Sequence, residues 1–553
     1  MALQTTDEAM DDQSKQPEQR GWDASPAQVA APTQAGLAAQ PGPREQAGAF
    51  SASAQTGVPA TSAQPDESDD AAQLDAPART AHRTLLPIRI SGRAVLFVML
   101  AASFVTCAAQ SMLSAALPSI MVDFSVDATL AQLLTTGYIY VLGILSVLTA
   151  FLINGFDSRK LFLASLSFFV VGSVLALLAP NYLVLLAARF LQAGGNGIML
   201  PLIQNVAVTV YPKERHGFAL GLVGMVIGFA PVIGPVFSGA IVQLWGWRTI
   251  FLILGSLSAI ALLVSFLFVC NFGEHTRQVL DVKSCLLYIP GLIIMMLGVT
   301  LTEQQGLYEW YSYTCDFLGV VLLFVFCYRQ LHIDHPVLKL SLFHGKHVLF
   351  GVLLTALAQI AMVTGTVQLP LYMQELHGLS ALESGLILLP GSLLMAFASP
   401  VVGSFYDHHG MRVSATIGLS CLAVGSFGFT VFNGSTPIAL IGAVYCVRMI
   451  GLAFLMMPMT TYALEKLSGG DVAHGTAIVN SLRQIGGSLG SSVLVATMTA
   501  ATQQLDPMAE HASEGLSVVG LNASFGIQVA FALSTLVIVL VVVKPLKRKR
   551  PAA

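Results

Sequence analysis

The chain has 553 residues, of which 55% are hydrophobic and only 10% charged, with a formal net charge of −3. Soluble globular chains carry about 25% charged residues, so a compact water-soluble protein of this length is excluded and most of the chain should face lipid. The weak net charge excludes a basic nucleic-acid binder, and 7 cysteines without a C-x-x-C pair or metal-ligand spacing exclude zinc fingers and disulfide scaffolds.

Residues 1–88 come first. Rich in Ala, Gln, Pro, Gly, Ser and Asp, they hold too little apolar side chain to bury a core, and a disordered cytoplasmic tail is expected. No basic n-region leads into an apolar stretch with a small-residue cleavage site, so a signal peptide is not expected. From there on, apolar stretches of about 20 residues follow one another, the length that crosses the hydrocarbon with every backbone polar group satisfied internally. Fourteen are expected, beginning near Val95, Leu133, Leu161, Tyr182, Phe218, Ile250, Ser284, Ser312, Val348, Ser384, Val413, Ile438, His474 and Ser524.

Alternating these spans from an inside N-terminus sorts the cations sharply. One side receives 23 of the 27 Lys and Arg, including Arg159, Lys160, Lys213, Arg215, Arg412 and the C-terminal run from Lys544 to Arg550; the other receives only Arg248. Cationic loops are retained in the cytoplasm, so both termini are expected there. The remaining three, Arg189, Arg448 and Arg483, fall within spans. The outside loops carry acids instead, among them Asp123, Asp127, Glu375, Glu383, Asp506, Glu510 and Glu514.

The chain also repeats itself at a distance of eight spans. In the fifth, Gly217-Phe-Ala with Gly228 and Gly234 parallels Gly475-Thr-Ala with Gly486 and Gly490 in the thirteenth. The loop after the second span, ending Asp157-Ser-Arg159-Lys160, parallels Gly403-Ser-Phe-Tyr-Asp407-His-His-Gly410-Met-Arg412 after the tenth. Substrate pathways built between two related bundles carry such repetition. The spacing fits six helices, two more, then six: an N-terminal bundle at 89–273, two additional helices at 274–330, a C-terminal bundle at 331–545 and a basic tail at 546–553.

These residues resemble the major facilitator superfamily, in particular its fourteen-span drug:proton antiporter branch of the EmrB/QacA type. In the fourth span, R-F-L-Q-A-G-G-N-G, with Arg189, Gln192, Gly194 and Gly197, is similar to the family's R-F-x-Q-G-x-G motif. In the fifth, Gly224, Gly228, Pro231, Gly234, Pro235 and Gly239 resemble the antiporter motif, and Trp245, Trp247, Arg248 and Phe251 follow as in W-R-W-x-F. His335-Pro336, Leu369-Pro370 and Leu389-Pro390-Gly391 extend the likeness, which runs from about residue 90 to 545. The resemblance implies an all-α membrane protein with the major facilitator fold. It departs from the family in the first span, where Gln110-Ser-Met-Leu-Ser114-Ala-Ala-Leu117-Pro118 keeps the pattern's end but places Ala109 at the usual acid.

An Arg inside a span is costly unless it finds carbonyls, an acid or water. For Arg189 the resemblance implies proton coupling, against a packing role as hydrogen-bond donor. Arg448 and Arg483 should face protein or cavity, meeting an anionic substrate group or a helix C-terminus. Gly228, Gly234 and Gly239 allow close helix approach and Pro235 a bend; in the family reading this helix seals the bundle interface. Asp407 and Arg412 are expected to pair, or Asp407 to cap a helix, in a contact that breaks as the bundles rock. Gln110, Tyr138, Asn205, Tyr372 and Met457 are candidate pocket residues. Asp316 is the one plausible in-span carboxylate.

The function expected is export of small amphipathic compounds by proton antiport with alternating access. Alternatives are export or uniport of a specific metabolite with other coupling, and a transporter-derived sensor. No nucleophile-base set, H-E-x-x-H or G-x-x-x-x-G-K-[ST] supports an enzyme or an ATP-driven pump. No cofactor or metal is expected; the substrate, protons and the bilayer are the partners. In a two-membrane host the resemblance adds a periplasmic adaptor and an outer-membrane channel, and an inner-membrane location.

Overall fold

A computed structural model describes residues 91–272, 280–305, 310–433, 435–505 and 517–542, and the expected tails at 1–88 and 546–553 lie outside them. The helices in order are α1 (Gly92–Met112), α2 (Leu117–Phe124), α3 (Ala128–Gly155), α4 (Ser158–Leu177), α5 (Tyr182–Val210), α6 (His216–Trp245), α7 (Arg248–Phe268), α8 (Val282–Gln305), α9 (Trp310–His332), α10 (Lys346–His377), α11 (Ala381–Thr430), α12 (Ile438–Leu464), α13 (Gly470–Leu505) and α14 (Val518–Val542). No strand occurs among the described residues. Among the described residues, eleven helical stretches are long and apolar enough to cross a membrane. α7, α9 and α14 turn Leu263, Phe317, Phe324 and Val541 outward, as helices solvated by lipid do.

Two breaks differ from the expected pattern. The first span is interrupted at Ser114–Ala116, a short 3-10 turn that leads into Pro118 in the first turn of α2; the proline lacks the N–H that a continuous helix needs there. The expected loop between the tenth and eleventh spans is instead a kink at Gly410 within α11, whose φ of 78° is open to glycine and strained for other residues. Helix thus persists through Asp407.

Several of the acids expected outside have local uses. Asp127 caps α3 by accepting from Leu130 N at 2.7 Å, and Ser380 with Glu383 forms a capping box on α11. Asp123 accepts from Trp247 Nε1 at 2.8 Å and pairs with Arg248 at 3.0 Å, tying α2 to the start of α7. Glu375 has no described side chain, and Asp506, Glu510 and Glu514 lie outside the described residues.

The α8–α9 pair packs through Gly291, Gly298 and Gly319, where an added Cβ would strike the facing helix. It leans on both halves of the molecule. Tyr288 Oη donates to Gly143 O on α3 at 2.9 Å and Tyr140 Oη to Met296 O on α8 at 2.8 Å, and α8 also meets α13 through a shared apolar cluster containing Met295 and Ile478. Arg329 on α9 grips Asp281 with Nε and Nη2 at 2.9 and 3.0 Å. Burial pushes the Asp281 carboxyl up, but the Ser284 hydroxyl and the Arg329 guanidinium outweigh it and hold the group below its ordinary value. The grip therefore persists under mild acid.

Candidate functional site

The two halves meet along α6 and α11, which run antiparallel with small residues facing each other. A Cβ on Gly217 would run into the Gly403 carbonyl oxygen, and one on Gly403 into that of Gly217. Further along, Gly221 lies against Ser399, Gly224 against Met457 and Gly228 against Met395. Asp407 closes the end of this seam. Its Oδ1 accepts from Gly217 N at 2.7 Å and its Oδ2 from Phe218 N at 3.0 Å, capping the N-terminus of α6, where the free N–H groups and the helix dipole favour a carboxylate. Arg412 does not pair with it; its Nη2 donates to Leu540 O on α14 at 3.0 Å.

On the other side of the molecule α3 meets α13, and the contact corresponding to Asp407 is made by Asn154, whose Nδ2 donates to Gly470 O at 3.1 Å. Asp157, the acid expected to match Asp407, pairs with Lys160 at 2.7 Å and accepts from Asn271 at 3.1 Å. The pattern in the second loop therefore starts three residues earlier, with an amide in place of the acid. Aligned on Asp157 instead, the loop has one residue before Arg159 where its counterpart has four between Asp407 and Arg412.

Arg189 is 1% exposed and is held by neutral groups. Nη1 donates to Ala109 O at 3.3 Å and to Gln192 Oε1 at 2.9 Å, Nε donates to Leu134 O at 3.4 Å, and the guanidinium lies 4.3 Å from the Tyr138 ring centre. Gln192 passes the connection to Ser173 on α4 at 2.8 Å. Arg448 repeats this arrangement in the second half. Its Nη2 donates to Ala361 O and, at 2.8 Å, to Gln528 Oε1, with the Phe525 ring centre 5.1 Å away. Ala109 precedes Pro118 by nine residues and Ala361 precedes Pro370 by nine, so the two arginines grip the same register of the first helix in each half.

Between the halves lies a cavity of about 100 Å³, lined from α1, α3, α5, α6, α10 and α13. Gln110, Gly197 and Arg483 line it, together with Asn196, Gln359 and Gln484, which sequence reasoning did not single out. Below it, Asn480 on α13 donates to Gln204 Oε1 on α5, so Gln204 and not its neighbour Asn205 faces the second half. Asn205 does not line the cavity. Nor do the other pocket candidates: Tyr138 sits beneath Arg189, Met457 fills the seam beside Gly224, and Tyr372 donates to Asn433 O at 2.8 Å.

The glycines divide in the same way. Gly194 has ordinary clearance, whereas a Cβ on its neighbour Gly195 would strike the Ser165 carbonyl on α4; Gly239 meets nothing within 4 Å. The Pro235 side chain lies outside the described residues. Gly234 is tight against α1, where a Cβ would collide with Ser111 Oγ and come 3.0 Å from Met112 N. Gly234→Val is expected to reduce transport at least tenfold in a chain that still folds, and Ser111→Ala should restore part of the loss in Gly234→Ala but not in Gly234→Val. Flux measured at matched expression checks this; equal activity of all four chains would show that the contact is idle.

Residues 99–491 match the Major Facilitator Superfamily. The chain is similar to the uncharacterized MFS-type transporter YcnB of Bacillus subtilis (strain 168), 37% identical over 464 residues that span 82% of this chain and 95% of that protein. It is also similar to the lincomycin resistance protein LmrB of the same organism, 33% identical over 82% of this chain and 94% of LmrB. Among solved structures it is similar to the human organic anion transporter MFSD10, with a TM-score of 0.58 and 12% identity, covering 82% of this chain and 100% of that one, a likeness of fold alone.

Proposed function

The chain belongs to the major facilitator superfamily, and from that premise we propose that it exports small amphipathic compounds across the cytoplasmic membrane by proton antiport with alternating access. The observation that carries this reading is the central cavity lined from both halves, with α6, one of its walls, in backbone contact with α11. We assign fourteen spans, in two bundles of six and an intervening pair, with both termini in the cytoplasm. On that assignment the seam at Gly217, Gly403 and Asp407 lies on the cytoplasmic side.

Rocking of the halves requires that the seam open. Its contacts suit this, because a single carboxylate cap and glycine-to-glycine approach are all-or-none contacts that part without leaving a buried charge. The LmrB relationship supports drugs as cargo. Ala109, standing where the family has an acid, favours a second reading in which coupling differs, as uniport or exchange with another ion.

Everted vesicles containing the chain are expected to accumulate an amphipathic dye when a proton gradient is imposed, with a protonophore abolishing the uptake and an internal pH dye reporting proton release on dye addition. Gradient-independent flux would favour the second reading. No flux under either condition sinks export. The periplasmic adaptor and outer-membrane channel belong to the same proposal for a two-membrane host.

A further inference from the structure

The three arginines buried in the helices all keep guanidinium nitrogens without an acceptor among the described residues, Nη2 of Arg189, Nε and Nη1 of Arg448 and Nε and Nη1 of Arg483, but of the three Arg483 alone lines the cavity. Arg189 and Arg448 each donate to the carbonyl of an alanine in the first helix of their half and lie against an aromatic ring. Arg483, 4% exposed, has neither. Its Nη2 donates to Asn480 Oδ1 at 2.8 Å, while Nε and Nη1 find no acceptor among the described residues, and the side chain lines the central cavity. No Asp or Glu is among the cavity-lining residues. The polar groups around it are neutral amides, which can donate to an oxyanion without repelling it.

A guanidinium held out of water with idle donors is costly unless a counter-charge arrives, and of the three arginines only Arg483 stands where one can arrive from the cavity. The protein supplies none among the lining residues, and a cationic ligand would be repelled there. We propose that this cavity is an anion subsite, in which Arg483 receives the carboxylate or other oxyanion of an amphipathic substrate and the amides of Gln110, Gln359 and Gln484 complete the shell. The proposal rests on the export reading and narrows its cargo to anionic or zwitterionic compounds. At about 100 Å³ the cavity accommodates such a head group, whereas pockets that hold a whole drug-sized ligand measure roughly 300–1,000 Å³. Asn480 ties the subsite to the contact between the halves. It holds Arg483 with its oxygen and reaches Gln204 in the other half with its nitrogen, so parting of the halves frees the residue that positions the guanidinium.

Cys107 lines the same cavity and reports on it without any substitution. In the purified full-length chain, naphthylacetate is expected to slow labelling of Cys107 by N-ethylmaleimide, read on the Cys107 peptide by mass spectrometry, and naphthylmethylammonium to have no effect. Arg483→Gln should raise the half-protecting concentration of naphthylacetate at least about tenfold, equivalent to ~1.4 kcal/mol, and Arg483→Lys should raise it less. Protection by neither compound, equal protection by the ammonium, or carboxylate protection unchanged in Arg483→Gln overturns the subsite. If Arg483→Gln does not fold, the preference of the native chain for carboxylate over ammonium decides alone. Gradient-driven export of a cationic dye without carboxylate protection removes the subsite and leaves export standing. Carboxylate protection without gradient-driven flux of any probe does the reverse.

Discussion

Gly403→Val is expected to abolish transport, by at least about a hundredfold, in a chain that reaches the membrane at normal levels. The effect follows from where the glycine sits. Gly217 and Gly403 approach with their backbones in contact, so a side chain on either strikes a carbonyl oxygen that cannot move without displacing its helix. Valine would push α6 and α11 apart, withdraw Asp407 from Gly217 N and Phe218 N, and leave the first N–H groups of α6 uncapped. On the proposed topology the halves can then no longer close on the cytoplasmic side. A membrane-impermeant maleimide applied from that side should label Cys107, which lines the cavity, faster in Gly403→Val than in the native chain. Asp407→Asn keeps one oxygen acceptor but sets an Nδ2 donor against the other N–H, so it loses one of the two cap bonds, about 0.5–1.5 kcal/mol, as well as the favourable charge at the helix end, about 0.3–1 kcal/mol, and its transport should fall about tenfold, less than in Gly403→Val. Native flux in Gly403→Val, or unchanged Cys107 labelling alongside lost flux, would show that the seam is not the gate.

The all-helical membrane fold was legible because the apolar stretches are long and bounded by charge, and the family because Arg189, Gln192 and the fifth-span glycines keep a fixed spacing. Which face of a helix turns inward was not. A helix that is apolar all round bears no periodic mark of its buried side. Thus Asn205 was chosen where Gln204 crosses to α13, and Gly194 where Gly195 meets α4. Asn154 is obscured for a different reason: it is an amide where the repeat has the acid Asp407, and the acid Asp157 stands three residues further on. Counting back from Lys160 would have placed the amide at the start of the motif. The likeness of Arg448 to Arg189 was also open to reading, since Ala361 and Ala109 stand at equal distances from Leu369-Pro370 and Leu117-Pro118.

Arg189→Gln should lower the thermal midpoint of the purified chain by several degrees and cut transport at least tenfold at every pH. The guanidinium joins α1 through Ala109 O, α3 through Leu134 O and the Tyr138 ring, and α4 through Gln192 and Ser173. Hydrogen bonds between membrane helices average about 0.6 kcal/mol, and those from charged donors reach about 1.5–3 kcal/mol; losing three of them and the ring contact removes a few kcal/mol from one half of the transporter. Arg189→Lys keeps the charge but cannot span the carbonyls of α1 and α3 together, so most of the loss should remain. The resemblance implies a part for this arginine in proton coupling. With Ala109 at the position of the acid, the partners found for it are neutral, and a clamp made of carbonyls, an amide and a ring has no proton to exchange near neutral pH. The pH profile separates the two roles. A clamp lowers the rate uniformly, whereas a coupling group displaces the profile or uncouples dye movement from proton release. A displaced profile in Arg189→Lys at unchanged thermal midpoint would return Arg189 to the proton path. Ala109→Asp supplies the converse test, since an acid placed beside the guanidinium should make transport in this chain newly sensitive to pH.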